Sequence, residues 1–266
     1  MKNYEKDFGN HYSIGTERMI TWHATVLTLF PQMFPGPLAH SLSGKGLKRK
    51  IWSIQALDIR DFSQDKHRTV DDTCFGGSAG MVLKPDVVHS ALYRGINHYP
   101  DNQKPALVYV TPRGTPLKQS KVRSLIADHP GGIIILCGRY EGIDDRVIEY
   151  WRRNHGLQEI SLGDYILSGG EVAALTLIDA CVRLLPGIVH SQESLESESF
   201  ELDLLEFPHY TKPQIWQDQI VPDVLLSGDH KEIAAWRHKQ AEKITRERRP
   251  DLWQAYLKKK LSSDQR

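Results

Sequence analysis

Glu159 to Pro186 reads EISLGDYILSGGEVAALTLIDACVRLLP, and the rest of the chain is organised around it. The order is a short apolar strand end, a glycine-bearing loop over Leu162–Gly170, and one helix. Ser168-Gly169-Gly170-Glu171 fits a capping box: the Ser168 hydroxyl caps a backbone N–H and Glu171 reaches back. Val172, Leu175, Ile178, Val182 and Leu185 recur at helical spacing. Pro186-Gly187 stops the helix. Gly169 and Gly170 let a ligand come close to the backbone, and a helix N-terminus adds partial positive charge. Taken alone, the stretch equally describes an ordinary loop entering a buried helix. Its glycines do not follow G-x-G-x-x-G, and the chain has no phosphate loop of the form G-x-x-x-x-G-K-[ST].

Upstream, apolar strands alternate with helices. Trp22–Phe30 and Ile51–Ile59 read as strands, with a helix over Leu38–Lys50 between them. A polar segment, Arg60–Asp72, leads to Cys74-Phe-Gly-Gly-Ser-Ala-Gly80, a loop where the backbone bends sharply or meets a ligand. Lys84–Arg94 reads as a helix, Ala106–Val110 as a strand, Lys118–His129 as a helix. Gly132–Cys137 (GIIILC) is a continuous apolar run, the mark of a strand covered on both faces. This alternation predicts an α/β fold with a largely parallel sheet. Glycine-bearing loops follow Val110, Cys137 and Ile160, and ligands in such sheets sit at the carboxyl ends of strands.

Downstream, an acidic linker over 187–203 precedes a small helical basic unit over 204–266. Between Ser191 and Thr211 there are six acids and no Lys or Arg, whereas Lys231–Arg266 holds eleven Lys/Arg against five Asp/Glu. One helix carries Ile233, Trp236, Ala241 and Ile244 on one side, and a last one spans about Pro250–Leu261. The basic tail is a candidate nucleic-acid surface, although a solvated helical face reads the same way. The chain has 266 residues, is 40% hydrophobic and has a net charge of +1, so it can bury a sizeable core and is no polycation. Cys74, Cys137 and Cys181 are too few and too far apart for a disulfide framework or zinc site, which suits a reducing cytoplasm. Residues 1–18 lack the apolar region of a signal peptide and read as a disordered extension. No apolar run reaches membrane-spanning length.

Several long motifs then point one way. HRTVDD, FGGSAGM, TPRG, LCGRYEGIDDRV, EISLGDYILSGGE, FPHYTKP and VPDVLLSGDH, in that order, resemble the bacterial tRNA (guanine-N1)-methyltransferase family (TrmD family, SPOUT class), from about Ile20 to Pro250. The resemblance implies a SPOUT α/β knot over 19–186, a deep trefoil knot with a mainly parallel sheet, joined to a small helical tRNA-binding domain over 204–266. It implies a homodimer with active sites between subunits. It implies a cytoplasmic enzyme that methylates N1 of guanosine 37, next to the anticodon, from S-adenosyl-L-methionine. Mg2+ is admitted as an assistant, without a visible ligand cluster.

Residue by residue, the family's cofactor contacts fall on Tyr109, Pro112, Gly138, Glu141, Ser161, Leu162, Gly163, Tyr165, Leu167, Gly169 and Gly170. The target guanine would lie at Ala79 and Gly80. The family's supporting arginine maps onto Arg183. Its general base, an Asp in the pattern D-S-F, maps onto Glu198-Ser199-Phe200, so Glu198 is the expected base; Glu196 and Glu201 are neighbouring carboxylates. Phe75 stands for the usual Tyr, and Ser78-Ala79 for Gly-Pro. The tRNA backbone would be gripped by Lys212, Arg237, Lys243, Arg246, Arg248 and Arg249. The missing Asp also leaves open an RNA-binding protein that keeps the fold without turnover.

Overall fold

The structure is a computed structural model describing residues 21–77, 79–100, 103–189, 198–200 and 203–263. The expected extension over 1–18, and most of the expected linker, including Glu196 and Glu201, lie outside the described residues. The chain divides into two compact units, residues 1–117 with 124–188 and residues 118–123 with 189–266.

The first unit is built on five parallel strands: β1 (Trp22–Thr28), β2 (Trp52–Asp58), β5 (Ala106–Pro116), β6 (Gly132–Cys137) and β7 (Gln158–Ser161), in the order β2-β1-β6-β5-β7. A short antiparallel hairpin, β3 (Asp71–Thr73) with β4 (Met81–Leu83), brackets the Cys74–Gly80 loop. The unit's helices are α1 (Ser41–Lys48), α2 (Pro85–Ile96), α4 (Asp145–His155) and α5 (Gly170–Val182), and α3 (Gln119–Ala127) is shared in sequence between the two units, which divide at residue 123. Every residue of β6 is buried. Ile134 and Leu136 join Leu27, Leu107 and Tyr109 in a core closed by Val88 and Leu92 of α2 and Ile148 and Trp151 of α4. α5 packs against β1, β5 and β6 as well. A strand buried on both faces has no polar alternation to show, hence the unbroken GIIIL run.

Three expectations need correction. Thr111-Pro-Arg-Gly114 is not a loop after a finished strand. β5 continues to Pro116, with its pairing to β7 shifted between Val110 and Thr115, so the motif bulges out of the ladder. The Ser168–Glu171 capping box does not form either. The N-cap of α5 is the extended Gly169, with no side-chain cap, and Glu171 turns inward to accept the Thr28 hydroxyl at 2.7 Å. Tertiary pairing of a buried carboxylate outcompetes the local cap. Finally, the buried face of α5 is Ala173, Ala174, Leu177, Ile178, Cys181 and Val182, whereas Val172 is 51% exposed. Ile178, Val182 and Leu185 of the expected spacing are buried, while Val172 and Leu175 fall outside the buried face. α4 and the hairpin of the second unit, β8 (Ile215–Trp216) with β9 (Gln219–Ile220), carried no expectation.

In the second unit, α6 (His230–Arg248) opens on Asp229, whose carboxylate accepts from the backbone N–H groups of Lys231 and Glu232. Asp229 is therefore the N-cap. α7 (Pro250–Ser263) follows and packs on α6. Tyr256 donates to Glu242 at 2.7 Å, and Lys260 pairs with the same carboxylate at 3.2 Å. Ala241 and Thr245 are buried; Ile233, Trp236 and Ile244 are half-buried.

His23 yields a pH test. Nδ1 lies 2.7 Å from the Ser53 hydroxyl, Nε2 is buried without a hydrogen-bond partner among the described residues, and His98 and Tyr99 face the ring. Burial, then the charge of His98, pulls its pKa from 6.5 to about 4. The unfolded chain takes up a proton below 6.5 that the native state refuses until about 4, so this stability is full above pH 6.5 and declines as pH falls through that window. Thermal melts of His23→Gln should lose less midpoint than wild type between those two pH values; equal slopes would assign the acid sensitivity elsewhere.

Candidate functional site

The bulged stretch of β5 and the loops at the carboxyl ends of β6 and β7 meet around a cleft of about 430 Å³, within the size range of small-molecule sites. Tyr109 and Pro112 reach it from β5, and Gly138 and Glu141 from the segment after β6. Ser161, Leu162, Gly163, Tyr165, Leu167, Gly169 and Gly170 reach it from β7 and the loop that follows. All the residues matched to cofactor contacts therefore line one cavity. Arg113, Arg139, Tyr140, Asp145 and Ile166 line it too and were not singled out. Arg139 followed a glycine at a buried strand's end, which was the signal available.

Main chain dominates the construction. The Gly170 N–H donates to the Gly138 carbonyl at 2.9 Å, tying the loop after β7 to the one after β6. Gly163 has φ +147 and its N–H donates to the Ser161 hydroxyl at 3.2 Å. The phenol of Tyr109 lies against Gly138, where an added Cβ would come within 3.0 Å of its oxygen. Burial raises the Tyr109 pKa, so the phenol is a donor rather than a base. Burial and the charge of Glu171 push the Cys137 thiol up, and burial pushes Cys181 to about 12. Neither is a nucleophile at neutral pH.

Strand β4, which closes the Cys74–Gly80 loop, is fastened to the same cleft. Glu141 N–H donates to the Met81 carbonyl at 3.0 Å, Leu83 N–H to Gly142 at 3.0 Å, and Asp144 N–H to Leu83 at 3.1 Å. Ala79 and Gly80 are exposed. Gly80 has φ +101, and a Cβ there would fall 2.5 Å from Glu141 Oε1. Glu141 thus stands where the base-assigned loop meets the cofactor-assigned cleft. Phe75, at the loop's far side, is 97% exposed.

Arg183 is the half-buried C-cap of α5, its N–H donating to the Asp179 carbonyl at 3.1 Å. It does not line the cleft. Glu198 is half-buried and belongs to the second unit. In that unit Lys212, Arg237, Lys243, Arg246 and Arg248 are exposed. Arg249 is half-buried, with two bonds to the Asp251 carboxylate at 2.8 and 2.6 Å. Arg237 covers the Phe207 ring at 4.9 Å. Phe207–Lys212 line a second cavity of about 450 Å³ with Leu225, Ile233 and Arg237. Among the described residues no group of three His, Cys, Asp or Glu could hold a metal ion, and no helix is long and apolar enough to cross a membrane.

A family model described as "tRNA (Guanine-1)-methyltransferase TrmD" matches residues 22–255. Curated relatives named tRNA (guanine-N(1)-)-methyltransferase occur in Brucella ovis and Brucella melitensis. Each is 57% identical over 237 residues, covering 89% of this chain and 93% of the relative. One from Brucella suis has the same identity and covers 92% of the relative.

The close seating of the loops is testable at Gly170. A Cβ there would lie 2.8 Å from Cys137 Cα and 2.9 Å from Val110 Cγ2, and backbone cannot step aside as a side-chain tip can. Gly170→Ala should cost about 1–3 kcal/mol of stability, read as a lower denaturation midpoint. An unchanged midpoint would mean that the two loops are free to part.

Proposed function

The chain belongs to the tRNA (guanine-1)-methyltransferase family, and from that premise we propose that it transfers a methyl group from S-adenosyl-L-methionine to N1 of guanosine 37, beside the anticodon of tRNA. The observation that carries this reading is the convergence of every cofactor-assigned residue on one glycine-walled cleft. The fit is chemical as well as spatial. Exposed loop N–H and carbonyl groups suit the edge of an adenine, and the Glu141 carboxylate suits an ammonium or sulfonium. The cofactor supplies an electrophilic methyl group on a cationic sulfur.

The chain's residues handle the proton and the charge. N1 of guanine carries a proton and is a poor nucleophile at neutral pH. Glu198 accepts that proton as N1 bonds to the methyl carbon, and the carbon–sulfur bonding pair stays on sulfur. Arg183 donates to O6, where negative charge develops. Ala79 and Gly80 hold the flipped-out base, and Glu141 keeps their loop at the cleft. Lys212, Arg237, Lys243, Arg246, Arg248 and Arg249 grip the tRNA backbone, with Arg249 weakened by Asp251. Mg2+ enters this reading only as a counterion of tRNA phosphates.

The fold and assembly follow the family in the same proposal. The first unit is a SPOUT domain with a deep trefoil knot, and the second is the tRNA-binding domain. The protein works in the cytoplasm as a homodimer whose active sites lie between subunits. The exposed Ile166 (79%), Val172 (51%) and Leu167 (38%) around the cleft support a partner surface there.

Labelled methyl from S-adenosylmethionine should reach a transcript with G immediately 3′ of the anticodon and not one with A there. Glu198→Gln should lower the single-turnover rate by at least about 100-fold with cofactor binding retained. Label on neither transcript, despite cofactor binding, would replace the enzyme reading with an RNA-binding one. Charge reversal at Arg246 and Arg248 should weaken tRNA binding and flatten its salt dependence; loss of cofactor binding instead would mean a misfolded variant.

A further inference from the structure

Helix α5 begins with a charge that solvent does not reach. Glu171 is its second residue, and its side chain is 1% exposed. Oε1 accepts the Thr28 hydroxyl at 2.7 Å, and Oε2 lies 2.9 Å from Arg139 Nε. Left alone, a buried carboxylate would be strongly unfavourable. Its partners come from two other strand ends: Thr28 closes β1 and Arg139 follows β6. Thr28 is oriented in turn, because its hydroxyl also accepts the Phe30 N–H at 2.9 Å.

Arg139 is the junction. Nη1 donates to the Ser168 carbonyl at 3.1 Å, inside the Leu162–Gly170 loop. The guanidinium lies over the Phe30 ring at 4.3 Å, a cation–π contact. Gly169 passes so close that a Cβ would sit 2.3 Å from Arg139 Nε. The planar group is therefore fixed by a ring, a glycine backbone, a carbonyl and a carboxylate, while its side chain, 20% exposed, lines the cleft. A guanidinium presents donors in a rigid fork, so it can meet carboxylate and carbonyl together.

We propose that Glu171 is a positioning residue which, through Arg139, holds the Leu162–Gly170 loop against the 138–142 segment at the separation the methyl donor requires. This rests on the methyl-donor reading of the cleft. Glu171 lies below the cleft wall and is absent from its lining, so its influence must pass through Arg139 and Ser168. A cation bared at that wall by loss of Glu171 would also repel a cationic sulfonium.

The experiment is a double-mutant cycle on the full chain. S-adenosylmethionine affinity is measured by calorimetry for wild type, Glu171→Gln, Arg139→Gln and the double variant, with tRNA affinity measured without cofactor. Each single change should weaken cofactor binding by at least about tenfold, and the double no more than the worse single, because both cut one linkage. In turnover, Glu171→Gln should raise KM for the cofactor by a larger factor than it lowers kcat. tRNA affinity should stay within about twofold, the usual reach of independent sites.

Should Glu171→Gln fail to fold, Thr28→Val removes the hydroxyl that fixes the carboxylate and Thr28→Ser restores it. The first should weaken cofactor binding and the second should not. Folded variants with unchanged cofactor affinity, or effects that multiply in the double variant, overturn the clasp alone. A wild-type protein that binds no S-adenosylmethionine overturns the functional reading and the clasp with it.

Discussion

The buried ladder of β6 is the constraint on which the site depends. Its residues pair with β1 on one side and β5 on the other, in register from Gly132 to Cys137. Neither face nor edge is available to solvent, so the strand has one position and its end has one place. Gly138 and Arg139 leave from that place. The Gly138 carbonyl holds the start of α5 through Gly170, and Arg139 holds it again through Glu171 and Ser168. A loop carrying Leu162, Gly163, Tyr165 and Leu167 would otherwise have many conformations to choose from. Here it is anchored at its glycine end to the central, fully buried strand of the sheet, and the ordering cost of a ligand is lowered before one arrives.

The sequence displayed what periodicity and composition can carry. An unbroken apolar run identified β6, and glycine-rich stretches after strands identified the cleft's walls. The motifs supplied residues that the structure brings to one cavity. What stayed hidden depends on tertiary pairing. The β5 bulge is invisible because Thr111-Pro-Arg-Gly114 has the composition of a turn, whereas the strand resumes its pairing with β7 at Thr115 on the far side of it. Glu171 three residues after Ser168 satisfies the local rule for a cap, and only the arrival of Thr28 and Arg139 turns it inward. In the first turns of α5 the buried face is taken by small Ala173 and Ala174, which a search for large apolar residues passes over in favour of Val172 and Leu175; from Ile178 onward the spacing and the buried face agree. α4 is strongly amphipathic, with basic Arg146, Arg152 and Arg153 beside buried Val147, Ile148 and Trp151, but it was masked by the motif that runs into it.

The second unit solves a different problem. Its helices carry several exposed cations side by side and still fold. Glu242 neutralises Lys260 and receives the Tyr256 hydroxyl, and Asp251 neutralises Arg249. Arg246, Arg248 and Lys243 remain exposed. A near-neutral chain can therefore present a basic surface without the self-repulsion of a uniformly basic one. The acids clustered between Ser191 and Thr211 keep the total charge balanced.

The fastening of the Cys74–Gly80 loop has a consequence for how the protein can change over time. The strand that closes it, β4, is tied through Met81 and Leu83 to Glu141, Gly142 and Asp144, main chain to main chain. Replacing a side chain leaves such ties standing, so the loop can drift in sequence without drifting in place. Gly80 is the exception, because its φ of +101 is one that residues with a side chain rarely adopt, and a Cβ there would also meet the Glu141 side chain. Selection on this loop should therefore be uneven: permissive along its length and strict at one glycine.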